Sequence, residues 1–239
     1  MSRVLAIGDI HAPATHPGYF DFICDTQRKF RCNKVVFIGD IVDWHTVSFH
    51  AKHPEAPGPK DEYLLALQQV QKWYRRFPKA TVTIGNHDER LIRTAESAGV
   101  PGSFLRGYAD VWKTPGWGWV YDTTIDDVYY YHGTGRGGMH PAYNCTRDMT
   151  MSVVMGHCHS AGGIKWLAAP YSRRFGLDTG CGIDDRMYAF AYGKHYKRKS
   201  VLSCGVVLEG SGQHVIMPCG DGEKYSRDKY DQNPLLGGT

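Results

Sequence analysis

The chain has 239 residues, 42% of them hydrophobic, with 28 glycines and a formal net charge of +4. That length suits one domain with ample material for a core, and so mild a positive charge does not by itself argue for nucleic acid. Seven cysteines, odd in number and without a C-x-x-C pair, speak against a disulfide frame and fit reduced thiols in a cytosolic compartment. No run approaches the length of a membrane span, and Asp9 and His11 interrupt an already short apolar start, against a signal peptide. The expectation is a cytoplasmic protein with no membrane partner.

In chain order, Val4–Ile7 reads as the first strand. Pro17–Phe30 follows as a helix with Phe20, Ile23 and Cys24 on one face and Asp21 near its N-terminus. Val35–Ile38 is the second strand. His45–Lys60 is expected to be a loop, because Pro54, Pro57 and Pro59 interrupt regular structure after His45, His50 and His53. Helical spacing is clearest over Asp61–Phe77, through Leu64, Leu67, Val70, Trp73 and Tyr74. Thr81–Ile84 is the third strand, and Glu89–Ala98 a helix closed by Gly99 and Pro101. Gly102–Gly118 reads as a long connection.

Trp119–Asp122 and Val128–His132 are predicted as a hairpin around Thr123–Asp127. Ser152–Met155 is another buried strand. Further strands are expected at Ile164–Ala168, Gly176–Asp178, Met187–Tyr192, Ser200–Leu208 and His214–Met217. Strand and helix alternate in the N-terminal half, whereas the C-terminal half is mostly strand. The pattern predicts an α/β fold, a four-layer αββα sandwich of two mixed sheets with helices outside. Residues 1–219 are expected to form a single domain, with 220–239 as a polar tail.

Four strands end in the same way: VLAIGDIH (Val4–His11), KVVFIGDIVD (Lys34–Asp43), TVTIGNHD (Thr81–Asp88) and SVVMGHCH (Ser152–His159). In each, an apolar run meets a glycine and then acidic, amide or imidazole groups. Such strand ends are where α/β sheets assemble their sites. Asp40 has two carboxylate oxygens and so can bridge two cations. Oxygen and imidazole donors without a thiolate suit Mn²⁺ foremost, with Fe, Zn²⁺ or Ni²⁺ as alternatives, better than a structural zinc.

Taken in order, Asp9–His11 (D-x-H), Gly39–Asp43 (G-D-x-x-D), Gly85–Asp88 (G-N-H-D), the isolated His132 and Gly156–His159 (G-H-x-H) resemble the five blocks of the calcineurin-like metallophosphoesterase superfamily. The resemblance spans residues 4 to 159. It implies the αββα sandwich and two divalent metal ions, one held by Asp9, His11 and His159, the other by Asn86, His132 and His157, with Asp40 shared. It also implies hydrolysis of a phosphate ester by in-line attack of metal-bound hydroxide. His87 would then be the general acid for the leaving oxygen and Asp43 the carboxylate that orients it.

Leu177–Cys181 (LDTGC) is similar to a segment of the phosphoprotein phosphatase branch. Against that branch, Trp44 and His45 stand where it carries arginine and glycine, Asp88 stands for its glutamate, and the G-H-x-H block it lacks is present. The chain therefore resembles the phosphodiesterase and nuclease side. A phosphodiester or nucleotide substrate is expected, with a DNA-processing nuclease, a phosphomonoesterase or protein phosphatase, and a non-catalytic scaffold as alternatives. Arg136, in the glycine loop Gly133–Gly138, could contact a phosphate, and His45 could face the site. Cys158 reads as an inert thiol, and Trp112, Trp117 and Trp119 as packing residues rather than a base-stacking platform.

Overall fold

A computed structural model describes residues 2–48, 56–184, 187 and 199–218. The strands are β1 (Arg3–Ile7), β2 (Lys34–Phe37), β3 (Ala80–Thr83), β4 (Trp117–Val120), β5 (Asp122–Ile125), β6 (Val128–Tyr131), β7 (Ser152–Met155), β8 (Gly163–Ala169), β9 (Ser172–Asp178), β10 (Ser203–Leu208) and β11 (Ser211–Ile216). The helices are α1 (Tyr19–Phe30), α2 (Pro59–Arg76), α3 (Arg90–Ser97), α4 (Tyr108–Trp112) and α5 (Pro141–Met149). Two sheets result, one of order β11-β10-β1-β2-β3-β4 and one of order β5-β6-β7-β9-β8.

Burial explains the layering. Along β1 and β2 the apolar residues alternate between two cores, so both faces of the first sheet are covered. Leu5, Ile7 and Phe37 pack outward on Tyr19 and Ile23 of α1 and Val70 and Trp73 of α2. Val4, Ala6, Val36 and Ile38 face inward and meet Val128, Tyr130, Val154, Phe175 and Leu177 of the second sheet. On the far side, Ala142 and Cys145 of α5 cover Val153 and Met155. The αββα sandwich expected from the sequence is the observed architecture. Among the described residues, no helix is long and apolar enough to cross a membrane.

Two local expectations are corrected, and one helix is added. The predicted hairpin partner Trp119–Asp122 does not pair with β6. Trp117–Val120 instead runs parallel to β3 in the first sheet, and the chain crosses to the second sheet at Tyr121. The partner of β6 is β5, through a turn in which Asp126 and Asp127 adopt φ of 50° and 61°. Two left-handed residues match the natural twist of a two-residue hairpin. Pro59 starts α2 rather than excluding it, because its missing N–H costs nothing at the first helical position. Helix α5 had no clear periodic signal, and its Pro141 start and buried Ala142, Cys145 and Thr146 come from docking on the second sheet.

The long connection also holds α4, whose Trp112 is buried, and Trp117 is buried with its Nε1 donating to the Phe77 carbonyl (2.7 Å). Both tryptophans pack as expected. His50, His53, the greater part of Met187–Tyr192 and the tail from Gly220 lie outside the described residues.

Candidate metal centre

Strands β1, β2 and β3 run parallel, as do β6, β7 and β9, so the carboxyl ends of each set gather at one edge of the sandwich. The backbone there is held in unusual conformations. His11, Asp40 and His157 all have positive φ, at 45°, 45° and 68°, which costs of order 1–3 kcal/mol per residue. Main-chain hydrogen bonds fix these turns against one another: His11 N–H to Asp40 O (2.9 Å), Asp43 N–H to Ala12 O (3.0 Å) and Gly156 N–H to His132 O (3.0 Å). Several of the glycines here are required, Gly39 and Gly156 among them. Gly39, at φ 81°, has no room for a Cβ beside Thr83 and His132, and a Cβ on Gly156 would occupy the place of Asp9 Oδ1.

The side chains converge in three overlapping groups, one of them His11, Asp43 and His87, and the other two share Asp40. Ligand atoms of Asp9, His11, Asp40 and His159 lie within 4.8 Å of one another, as do those of Asp40, His132 and His157. Asp40 belongs to both groups, its Oδ2 lying 3.6 Å from His11 Nε2 and 3.2 Å from His132 Nε2. Asn86 Oδ1 joins the second group, 3.0 Å from His132 Nε2.

This arrangement fits divalent cations. Asp9 Oδ1 is buried without a hydrogen-bond partner, a costly state that a cation relieves. Imidazole nitrogens also face each other, His11 Nε2 against His159 Nε2 at 3.1 Å and His132 Nε2 against His157 Nδ1 at 3.2 Å. The electrostatics agree. Burial opposes charge on His132, yet Asp40 and Asp9 outweigh it and push the imidazole up to about 10. A proton there answers the same negative potential that would attract a metal. Burial, with repulsion from His87, pulls His11 down to about 4, the neutral form a ligand needs.

Around this core a second set of contacts orients the rings. Asp43 Oδ1 lies 2.9 Å from His11 Nδ1 and 3.0 Å from His87 Nδ1, so one carboxylate positions both imidazoles. Burial works to raise Asp43, but the bonds from His11 and His87 prevail and hold it well below the usual carboxylate range. His132 directs Nδ1 to the Ile38 carbonyl (2.7 Å), which turns Nε2 toward Asp40. His87 is tied by its own N–H to Asp40 Oδ1 (2.8 Å).

Three contributors escaped the reading of the sequence. Arg90 donates from Nη1 to the Asp43 carbonyl (2.7 Å), and its Nη2 lies 2.9 Å from His87 Nε2. Guanidinium has only donors, so this contact requires a bare Nε2 and protonation of His87 breaks it. The one available signal was position: Arg90 lies three residues past His87 at the start of α3, where helical spacing aligns side chains. Asp88 was read only as a motif letter. Its carboxylate accepts N–H bonds from Ile41 (3.0 Å) and Gly85 (2.9 Å), joining the turns after β2 and β3. Glu62 is buried and accepts the His45 N–H (2.6 Å) and the Thr46 N–H (2.9 Å), fixing the short 3₁₀ turn His45–Val47.

The remaining expected residues are placed as follows. His45 is buried and its Nε2 has no hydrogen-bond partner. Arg136 is partly exposed, and its guanidinium pairs with Asp148 at 2.7 Å. Cys158 is half-buried, and burial pushes its thiol up, away from the reactive thiolate. In the LDTGC segment, Thr179 is buried and bonds to the Met155 carbonyl (3.2 Å), a structural role.

A two-sheet sandwich with an oxygen- and imidazole-lined cluster at its strand ends is the arrangement of a class of metal-binding α/β proteins. The chain belongs to the calcineurin-like phosphoesterase family, whose model it matches over residues 2–182. No curated protein matches its sequence. Several solved structures resemble it. One is a single mutant of Vps29 from Entamoeba histolytica, 14% identical, covering 90% of this chain and 99% of that one, with a TM-score of 0.40. The phosphoesterase Yfce from E. coli is 12% identical, covering 86% and 88%, at 0.41. The nuclease MPE from Pseudomonas putida is 14% identical, covering 89% and 86%, also at 0.41.

Proposed function

We propose that this chain is a dinuclear metal-dependent phosphoesterase that hydrolyses phosphodiester or nucleotide substrates in the cytoplasm, with residues 1–219 as its catalytic domain. The observation that carries the reading is Asp40, one buried carboxylate shared by two ligand groups. In our assignment Asp9, His11 and His159 hold one cation, Asn86, His132 and His157 the other, and Asp40 both. The donor set favours Mn²⁺, with Fe, Zn²⁺ or Ni²⁺ able to substitute. Two cations held by these residues would supply Lewis acidity toward a phosphate ester and its attacking water.

The chain's own residues do the rest. His87 gives a proton from Nε2 to the leaving oxygen. Burial pulls His87 down, but Asp40 and Asp43 outweigh it and raise its affinity for that proton. Asp43 holds the ring from the Nδ1 side throughout. When Nε2 is protonated, Arg90 stays on the Asp43 carbonyl through Nη1 while its Nη2 becomes available to bind a phosphoryl oxygen. Of the two substrate contacts we assign, His45 must first uncover its buried, unpartnered Nε2, and Arg136 must first give up Asp148.

The test is an activity panel in Mn²⁺, Fe²⁺, Zn²⁺ and Ni²⁺ with p-nitrophenyl phosphate, its bis-ester, cyclic nucleotides and DNA. Metal-dependent turnover, faster on diesters and nucleotides than on the simple monoester, is expected. Absence of turnover with every metal and every ester overturns the reading.

A further inference from the structure

With Nε2 of His87 bare against Arg90, the ring proton sits on Nδ1. It faces both the Asp43 carbonyl (2.9 Å) and Asp43 Oδ1 (3.0 Å). The same carbonyl accepts a hydrogen bond from Arg90 Nη1 (2.7 Å). The direction of one main-chain carbonyl therefore bears on where the His87 ring points.

What fixes that carbonyl lies in the residues after it. Trp44 is left-handed, with φ 49° and ψ 40°, a conformation that a residue with a side chain keeps only when its surroundings over-determine it. The chain then makes the 3₁₀ turn His45–Val47, and two helices clamp this turn. From α3, Thr94 Oγ1 donates to the Val47 carbonyl (3.0 Å). From the first turn of α2, Glu62 accepts the His45 N–H (2.6 Å), the Thr46 N–H (2.9 Å) and the Thr46 hydroxyl.

Glu62 is only 3% exposed, and both its oxygens are spent on that turn. A buried carboxylate is costly unless hydrogen bonds offset the loss of water, so its charge is tied to one backbone geometry and resists rotation of these peptides. One residue, Trp44, separates the amides it holds from the Asp43 carbonyl.

We propose that Glu62 is a positioning residue for proton transfer, acting through the Trp44 turn and the Asp43 carbonyl to hold His87 Nε2 toward the leaving oxygen. The assignment rests on the phosphoesterase reading and adds a residue of α2 to the control of its acid step.

The experiment compares methyl phenyl phosphate with methyl p-nitrophenyl phosphate in the Mn²⁺-loaded protein. The two esters share the methyl group, and the phenyl leaving oxygen needs the proton more. Glu62→Gln keeps the size of the side chain and removes its charge. It should lower kcat about tenfold on the phenyl ester and less than about threefold on the p-nitrophenyl ester, with KM and both ions unchanged. In a His87→Ala background the same substitution should change kcat on the phenyl ester by less than about twofold, because Glu62 acts through that ring. Should Glu62→Gln not fold, Glu62→Asp, which keeps the charge and draws it back by one methylene, is read in the same way.

An equal loss on both esters, no loss on either, or a loss that persists in the His87→Ala background overturns the proposal. Long-range ¹H–¹⁵N spectra of the metal-free protein, with His87→Ala to assign the ring, separate its failure from that of the parent reading. The wild type should show His87 protonated at Nδ1, and Glu62→Gln should move those signals toward a mixture of tautomers. If neither ester turns over, the phosphoesterase reading falls and the positioning role is judged on the spectra alone. His87 signals that Glu62→Gln leaves in place overturn it.

Discussion

The first sheet contributes Asp9, Asp40, Asp43 and Asn86 to the cluster, together with His11 and His87, whereas the second contributes His132, His157 and His159. The carboxylates are therefore all anchored on one side of the sandwich, and the other side supplies imidazoles alone. The first sheet is covered on both faces, by α1 and α2 outside and by the second sheet inside. Among the described residues the second has only α5 on its outer face, and its edge strand β8 is largely exposed. The better-buried sheet carries the groups whose charge is most costly to misplace. Ile38 and Val154, packed in the layer between the sheets, bring the two sets of donors together.

The largest effect is expected from Asp40, where the two sheets share an oxygen. Asp40→Ala should lose both ions by elemental analysis and reduce turnover to background, and the rise in Tm expected for the wild type on adding Mn²⁺ should be absent. His157→Ala removes a donor of the second sheet alone and should lose one ion while keeping the other. If Asp40→Ala retained both ions, the division of labour between the sheets would be wrong.

Next comes His87→Ala, which should cut kcat by about 10²–10⁴-fold with both ions retained. Near-normal turnover would remove His87 as proton donor. Arg90→Ala should cost less, about 10–100-fold, and the loss should be greater for alkyl than for p-nitrophenyl leaving groups because the former need the proton more. An equal loss on both would make Arg90 a phosphate contact with no influence on His87.

The smallest effect concerns the second sheet's own buried carboxylate. Asp178, at the end of β9, has one oxygen without a partner, and burial pushes it from 3.8 up to about 7. Between those values the folded chain holds a proton that the unfolded chain has released, so this contribution is full below about 4 and is lost as pH rises through 7. Asp178→Asn should raise Tm by about 2–8 °C at pH 8 and leave it unchanged at pH 4. An equal shift at both pH values would point to packing rather than charge.

Legibility differed between the two halves for a physical reason. In the first sheet, each strand is a continuous apolar run that ends at glycine and a polar group, so strand, turn and donor could be read together at Val4–His11, Lys34–Asp43 and Thr81–Asp88. At Trp117–Ile125 the same kind of reading failed. Two short strands separated by Tyr121 go to different sheets, and no local property of the residues distinguishes one long strand from a crossover. Helix α5 escaped because its apolar face is short and becomes a core only against β7 and β9. Arg90 looked like an ordinary helix-surface arginine until the turn after β2 placed the Asp43 carbonyl in front of it.

The sequence by itself determined the donor types, their order and the strand ends on which they sit, because those depend on local grammar: apolar run, glycine, polar group. Only the tertiary structure decided that Asp40 lies between two groups from opposite sheets, that Arg90 contacts His87, and that Glu62 reaches the turn after Asp43. Each of those is a relation between residues far apart in the chain, and distance across a core is set by the packing of two sheets together, which no single stretch of residues encodes.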